Sequence, residues 1–352
     1  MPFHPPDKPL AQCYDEDIEF VVRAEELGLD EFWIGEHHTM KYETVVMPEV
    51  FIGRVLGETK HIRLGPAPIC LNLHHPAQVA SRLAFLDHLS KGRLNLCLGP
   101  SGTISDYELY GLDPKSGGSM TIEAIEVILK LWASEPPYEH KGTHWQFKLE
   151  EHVSEATQIG FIHKPYQQPH PPILMPGVSP NSHSLRMAGQ FGFSPFSAAL
   201  SAGNVLADNW ATYENAAIQA GNKPDRSNWR VARQIFLADT TKEAVERVRN
   251  NVVGQNFQYL ATLMDEGPGR GFLKRDMDMP DSECNLDYWM TEQIIAGDVD
   301  EVLRRLLKLI EECGTFGTLV MMGFDWDDKP SWLRHLELFA TELMPALNKA
   351  VA

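Results

Sequence analysis

The chain has no long apolar run. Nothing in its 352 residues approaches the roughly 20 consecutive apolar residues that a membrane-spanning helix needs. It is also poor in positive charge. Lys and Arg number 31 against 48 Asp and Glu, a net charge of −17. That balance argues against nucleic acid or an anionic membrane surface as partner, since phosphate neutralisation needs clustered cations. A single anionic ligand stays possible where backbone amides can hold it. Cysteine is scarce: five residues, Cys13, Cys70, Cys97, Cys284 and Cys313, an odd number with no CxxC spacing. A reduced, cytoplasmic setting is expected, with Cys70 and Cys97 in the core because they lie in apolar runs. The opening Met1-Pro-Phe-His-Pro-Pro6 has neither a basic nor an apolar segment, so no signal peptide is expected. No repeat of solenoid type is present.

What remains is a globular composition, 43% hydrophobic and 22% charged, long enough for one large barrel or two ordinary domains. Short apolar runs alternate with amphipathic segments. Helical spacing marks 16–27, 46–56, 78–89, 121–132, 183–190, 202–220, 242–250, 299–312 and a closing helix over 332–349. Strand-like runs fall at 32–34, 61–69, 93–98, 173–175, 191–196, 231–238 and 318–322. Repeated strand–helix alternation predicts a parallel sheet with helices outside, and this many units predicts a single (β/α)8 barrel over residues 1–352. A doubly wound open sheet is the alternative. Two stretches break the pattern. Residues 138–169 predict an inserted hairpin and a proline-stiffened return. A second insertion over 252–296 contains a Gly-, Pro-, Met- and Asp-rich segment, 265–288, expected to be a mobile lid with Phe272, Leu273, Met277 and Met279 beneath it.

The chemistry-bearing residues cluster at predicted strand ends. Phe32-Trp-Ile34 stops at Gly35 and is followed by Glu36, His37 and His38. Ionisable groups at the carboxyl end of a strand are where α/β barrels place catalysis. Histidine titrates near neutrality and suits proton transfer. Neighbouring side chains of an extended end diverge, so only one histidine should enter the mouth, and His37 is expected to be that one. The competing reading is a pair of surface histidines. His74 and His75 precede Pro76 at a predicted helix start, where capping explains them as well. Prolines 66 and 68 cannot complete a ladder, and a bulge or cis bond is expected there. Gly177 follows a strand, with Ser179 as predicted N-cap and Pro180 as first helical residue, a helix start that could receive an anion. Glu36, His37, His38, His74 and His75 also suggest a metal centre. Each doublet diverges and no further carboxylate lies at a strand end, so no metal is expected.

At these residues the chain resembles the bacterial luciferase-like, flavin-dependent monooxygenase family. The matching pieces are His4-Pro-Pro6, Gly28 to His38, Thr59 to Gly65, His75-Pro76, Leu86 to Arg93, Tyr107 to Asp113, Gly177 to Pro180, Leu336 to Ala340 and Leu343 to Leu347. They cover nearly the full length. The Glu-His-His and Leu-His-His-Pro versions resemble limonene and diketocamphane monooxygenase-like members. The resemblance implies a (β/α)8 barrel that takes reduced FMN from a separate flavin reductase. The flavin reacts with dioxygen to a C4a-peroxyflavin that oxidises a small hydrophobic substrate, with terpenoids a candidate class. It implies His37 as catalytic histidine beside Glu36, a cis Ala67–Pro68 step at the flavin ring, and phosphate at Val178 and Ser179.

Three departures from the family bear on these implications. Gly99-Pro100 stands where luciferase has a reactive cysteine and a phosphate-binding arginine. Ser116-Gly-Gly-Ser119 stands where relatives often carry another arginine. The family's first strand normally precedes this His-Pro-Pro, and little of it stands before His4, so either a start upstream of Met1 or a barrel completed differently is expected. Weak flavin binding through Gly99, Gly177 and backbone amides is therefore expected. An F420-dependent oxidoreductase and a non-catalytic flavin-binding protein are the alternatives. A homodimer is expected through the helix at 46–56, apolar on more than one face.

Overall fold

The computed structural model describes residues 3–267 and 269–352, apart from the Phe272 side chain. The chain forms two compact units, Asp30–Leu174 and the combined stretches Met1–Leu29 and Met175–Ala352. No helix of the described residues is long and apolar enough to cross a membrane.

The chain opens with α1 (Leu10–Glu26), which begins six residues before the apolar pattern of its sequence because Pro9 occupies the N-cap. It buries Cys13, Phe20, Val21 and Ala24, the one stripe that helical periodicity gathers.

The unit Asp30–Leu174 is built on short parallel strands. β1 (Glu31–Ile34) leads through α2 (Pro48–Val55) to β2 (Arg63–Pro66), and Phe32 lies opposite Leu64. The run 61–69, predicted as one strand, is two: β2 stops at Pro66 and β3 (Ile69–Cys70) starts after Pro68. Two prolines without N–H groups cannot carry the ladder across that step. The Ala67–Pro68 bond is cis, as expected. α3 (Pro76–Ser90) has Pro76 in its first turn and the His75 imidazole accepting from Ala77 N. β4 (Leu96–Gly99) is buried at every position, as a strand covered on both faces must be. It pairs in parallel with β3 on one side and with the start of β7 (below) on the other. α4 (Ile104–Leu109) and α5 (Gly117–Ala133) follow, then the predicted hairpin, β5 (Tyr138–Lys141) antiparallel to β6 (Gln146–Leu149). One carboxylate of α5 grips its turn. Glu123 accepts from the amides of Thr143, His144 and Trp145 and bonds His140 Nε2 at 3.0 Å. β7 (Ile173–Gly177) closes the unit.

The other unit continues with α6 (His183–Phe191), β8 (Ser194–Ser197), α7 (Gly203–Gln219) and β9 (Arg230–Leu237). Then come α8 (Thr241–Asn250), α9 (Val252–Asp265), α10 (Leu286–Glu292), β10 (Ile294–Gly297), α11 (Val299–Cys313) and β11 (Thr318–Met321). β8, β10 and β11 all run parallel to β9. Ile235, Leu237, Ile295, Val302, Leu306 and Leu343 form a buried cluster here.

Two further expectations need correction. The predicted closing helix is interrupted: α12 (Lys329–Leu338) passes through a π-helical turn, Phe339–Leu343, into α13 (Met344–Val351). Pro345, in the first turn of α13, has no N–H and crowds the preceding turn, which widens. The segment 265–288 is tied down within its own unit. Arg270 bonds Asp265 at 2.7 Å and the Cys284 carbonyl at 2.7 Å, and Lys274 is paired with Asp281. Leu273 and Cys284 are fully buried, while Met277, expected beneath a lid, is exposed. Pro268 and the Phe272 side chain, both part of that expectation, lie outside the described residues. All five cysteines are free and buried.

Two buried histidines set opposite pH limits. His4 lies between Asp325 (2.6 Å) and Asp17 (3.1 Å). Burial alone would lower its pKa, but hydrogen bonds and charge from both acids raise it to about 9. His335 accepts from Leu237 N and stacks on Phe236, and burial lowers its pKa to about 3. His4 stabilises the fold fully below its unfolded pKa near 6.5, and that contribution is lost as pH rises toward 9. His335 must stay neutral, so its contribution is lost as pH falls below 6.5 toward 3. Urea-unfolding midpoints should therefore peak at mildly acidic to neutral pH, and His4→Asn should flatten the alkaline fall. An unchanged alkaline slope in that variant would reject the His4 assignment.

Candidate active site

In the unit Asp30–Leu174, β1 delivers Gly35-Glu36-His37-His38 at its carboxyl end. Glu36 is fully buried, yet both of its carboxylate oxygens are hydrogen-bonded. One carboxylate oxygen accepts from His38 Nε2 (2.8 Å) and His74 Nε2 (2.6 Å), and the other from Cys70 N (3.0 Å). Burial would raise its pKa, but those donors outweigh burial and hold it down at about 2. The hydrogen bond to Glu36 in turn raises the pKa of His38. The other nitrogen of His38 faces the Tyr110 hydroxyl at 3.0 Å.

His37 points elsewhere. Its amide donates to Val45 O (3.0 Å), and its Nε2 meets Glu43 Oε2 at 3.0 Å. Its Nδ1 lies 3.5 Å from Thr103 Oγ1, the outer limit of a hydrogen bond. The side chains of His37 and Glu43 are 25% and 22% exposed, so the pair is reachable from solvent, unlike Glu36. Burial opposes protonation of His37, but the Glu43 charge and hydrogen bond overcome it and raise the pKa. Glu43 is correspondingly lowered. The two histidines thus diverge, as strand geometry requires, and each has its own carboxylate.

The loop after β4 is polar and fixed. Gly99 ends that strand, and Ser101 N donates to Asn72 Oδ1 (2.8 Å) while its carbonyl accepts from Tyr107 (3.0 Å). Asp106 is fully buried and receives Thr39 Oγ1 at 2.6 Å and Ser101 Oγ at 3.3 Å. Asn72 Nδ2 is buried and has no partner among the described residues.

Ligand atoms of Glu36, His38 and His74 lie within 4.8 Å of one another, the spacing of a metal-ligand set. That brings together three of the five residues weighed above for a metal. His37 and His75 are not in it. Each imidazole of the trio is engaged as a partner of the carboxylate.

In the other unit, Gly177 ends β7 and no longer opens a helix. The helix starts at His183, with Ser182 as N-cap accepting from Leu185 N. Ser179 and Pro180, predicted as cap and first helical residue, lie in the preceding turn, where Asn181 adopts φ 55° and its amide bonds Asp208. Two serines three residues apart offered two caps, and the asparagine that accepts a left-handed φ selected the later one. The hydrogen bonds of Gly177, Val178 and Ser179 use their carbonyls, toward Ala198 N, Ser201 Oγ and Asn209 Nδ2. A Cβ on Gly177 would fall 2.3 Å from Leu185 Cδ1, so only glycine fits. Glu43, Tyr110, Asn72 and Asp106 escaped sequence reasoning. A carboxylate six residues after His37 was the one readable signal.

The family model for luciferase-like monooxygenases matches residues 1–315. 3,6-Diketocamphane 1,6-monooxygenase of Pseudomonas putida is 30% identical over 98% of this chain and 97% of its own. Limonene 1,2-monooxygenase of Rhodococcus erythropolis is 29% identical over 99% and 85%. Among solved structures, the oxygenating constituent of 3,6-diketocamphane monooxygenase from a Pseudomonas putida plasmid, a type II Baeyer–Villiger monooxygenase in complex with FMN, matches with a TM-score of 0.88. It is 29% identical and covers 98% of this chain and 96% of that one. The fold class is thus the (β/α)8 barrel expected from strand–helix alternation, and the chain belongs to the luciferase-like monooxygenase family of oxidoreductases.

Proposed function

We propose that the protein is the oxygenase of a two-component system: it takes reduced FMN from a separate flavin reductase and inserts one oxygen atom of dioxygen into a small hydrophobic molecule of terpenoid size. The observation that carries this reading is the His37–Glu43 pair, a reachable imidazole held by a carboxylate at a strand end. The residues fit a flavin. Asn72 Nδ2 is an orphaned buried donor of the kind a flavin carbonyl satisfies, and it stands in the same hydrogen-bonded group as Ser101. Ala67, Pro68 and Gly99, at the ends of β2 and β4, are assigned to the ring. Gly177, Val178 and Ser179 are assigned to the phosphate, which their amides would hold.

When bound, reduced FMN supplies the electrons that activate dioxygen. The protein's part is binding, proton handling and exclusion of water. His37, biased toward its protonated form by Glu43, gives or takes a proton at Nδ1, where Thr103 is its neighbour. Glu36 does not itself move a proton. Locked by three donors and strongly acidic, it fixes the backbone from which His37 projects.

The test supplies a flavin reductase, FMN and apolar ketones or alkenes, and compares oxygenated product with hydrogen peroxide. His37→Ala should cut product-coupled turnover by ~10²–10⁴ with the far-UV spectrum unchanged. Glu43→Gln removes the charge that raises the His37 pKa, so the limb of the pH–rate profile due to His37 should move to lower pH. Full coupled activity in His37→Ala, or a fixed limb in Glu43→Gln, would remove the pair from the reaction.

Neither family arginine is present, so oxidised FMN should bind more weakly than nanomolar. Ser179→Pro, which deletes one amide donor, should weaken it further. Fluorescence titration measures both, and nanomolar affinity or an unaffected Ser179→Pro variant contradicts the phosphate assignment.

The protein is also read as a homodimer. Val46, Met47 and Val50, on and just before α2, remain 49%, 36% and 65% exposed although Phe51, Ile52 and Val55 of the same helix are buried. Sedimentation at micromolar concentration should show a dimer that Val50→Lys dissociates. A monomeric wild type ends this reading.

A further inference from the structure

A cavity of about 350 Å³ lies in the unit containing β9. Its wall gathers five cations, Arg233, Arg275, Arg304, Arg305 and Lys308, in a protein whose net charge is −17. Three acids share the wall, and each is already engaged. Glu292 and Glu312 are both paired with Arg275, and Glu301 is paired with Arg304. Arg233, Arg305 and Lys308 have no carboxylate at ion-pair distance among the described residues.

Arg233 is the decisive member. It is 1% exposed, in the middle of β9. One guanidinium nitrogen donates to the Ser201 carbonyl, and Nη2 has no partner. A buried guanidinium with an idle donor and no carboxylate at ion-pair distance among the described residues is costly unless something fills the space beside it. The plain structural reading, an arginine that merely holds the Ser201 carbonyl, accounts for one donor and leaves Nη2 and the neighbouring cations unexplained.

The start of α7 adds to the same wall. Gly203 is its first residue, and Ala202 provides no side-chain cap. The uncapped end of a 17-residue helix presents bare amides and partial positive charge. Glu312 already rests against Gly203, close enough that a Cβ there would collide with its carboxylate. A tethered carboxylate at this end is itself a sign of the local positive potential.

We propose that this cavity is a binding site for a small, multiply charged phosphate-bearing anion, held by Arg233 Nη2, Arg305 and Lys308. Three cations with no carboxylate at ion-pair distance, on a wall where five cations face three acids, match an oxyanion carrying two or more charges, and the planar guanidinium suits bidentate contact with phosphate. The apolar wall of Ile295 and Leu309 leaves room for a small organic portion. The site is separate from the residues assigned to the flavin phosphate, but one hydrogen-bond chain joins them. Arg233 holds the Ser201 carbonyl, and Ser201 Oγ holds the Val178 carbonyl.

The test is calorimetric titration of the full chain with pyrophosphate at constant ionic strength, with and without saturating FMN. A one-to-one isotherm is expected in both cases. Arg233→Gln should weaken it about tenfold or more, with circular dichroism confirming the fold. Lys308→Ala, an exposed change on α11, should weaken it several-fold and carries the test if Arg233→Gln does not fold. Absence of an isotherm, equal affinity in the variants, or loss of the isotherm on adding FMN would each overturn the proposal. The last result would place the anion in the flavin phosphate site. Malonate binding more tightly than pyrophosphate would overturn the phosphate assignment.

Discussion

A single buried carboxylate organises the chemistry-bearing part of this chain. Glu36 takes two imidazole N–H groups and one backbone amide, and those three donors come from His38, His74 and Cys70. The carboxylate therefore joins the end of β1 to the start of the segment after β3. Were it neutral or absent, two half-buried imidazoles and one buried amide would lose their acceptor together, an outcome far costlier than the loss of one surface pair. The constraint also explains why two adjacent histidines behave differently. His38 is bound by Glu36, and strand geometry then turns His37 the other way, where Glu43 meets it.

Much of this was readable from sequence, for identifiable reasons. Strands such as Leu96–Gly99 announce themselves because a strand covered on both faces is a continuous apolar run. Glu36, His37, His38 and His74 could be named because an abrupt change from apolar to ionisable residues marks a strand end. Their division of labour could not. The partners that decide it lie far away in sequence, as with Tyr110 on His38 and Thr103 on His37. Nothing local encodes a contact across some 70 residues.

Local ambiguity accounts for most of the remaining differences. Ser179-Pro180 is a sound helix start by itself, but Ser182 competes and wins once Asn181 turns the chain. α9 has a regular buried stripe, Val253, Phe257, Leu260, Ala261 and Met264. It begins beside Asn250, Asn251 and Gly254, residues that usually interrupt a helix. Here Asn251 is the cap, and its side chain accepts from Val253 N. The segment 265–288 has the composition of a loose loop, yet arginine and lysine contacts to its own carbonyls and carboxylates fasten it. Composition reports the cost of ordering a segment and is silent about the ion pairs that offset that cost.

The hairpin β5–β6 has a different consequence. Glu123 recognises its turn through the amides of residues 143–145, with His140 as a side-chain partner. Recognition through main-chain donors does not read side-chain identity, so the exposed Thr143 is free to drift over evolutionary time, whereas His144 is bonded to Ser119 Oγ at 2.9 Å. Gly142 is fixed as well, since any Cβ there would strike Glu123 Oε1. His75 packs against two rings of the hairpin, Trp145 at 5.6 Å and Phe147 at 5.9 Å, while it caps α3. A foreign loop of equal length grafted here would keep its seat on Glu123 if it retained glycine at 142 and the side-chain contacts of His144 and Trp145.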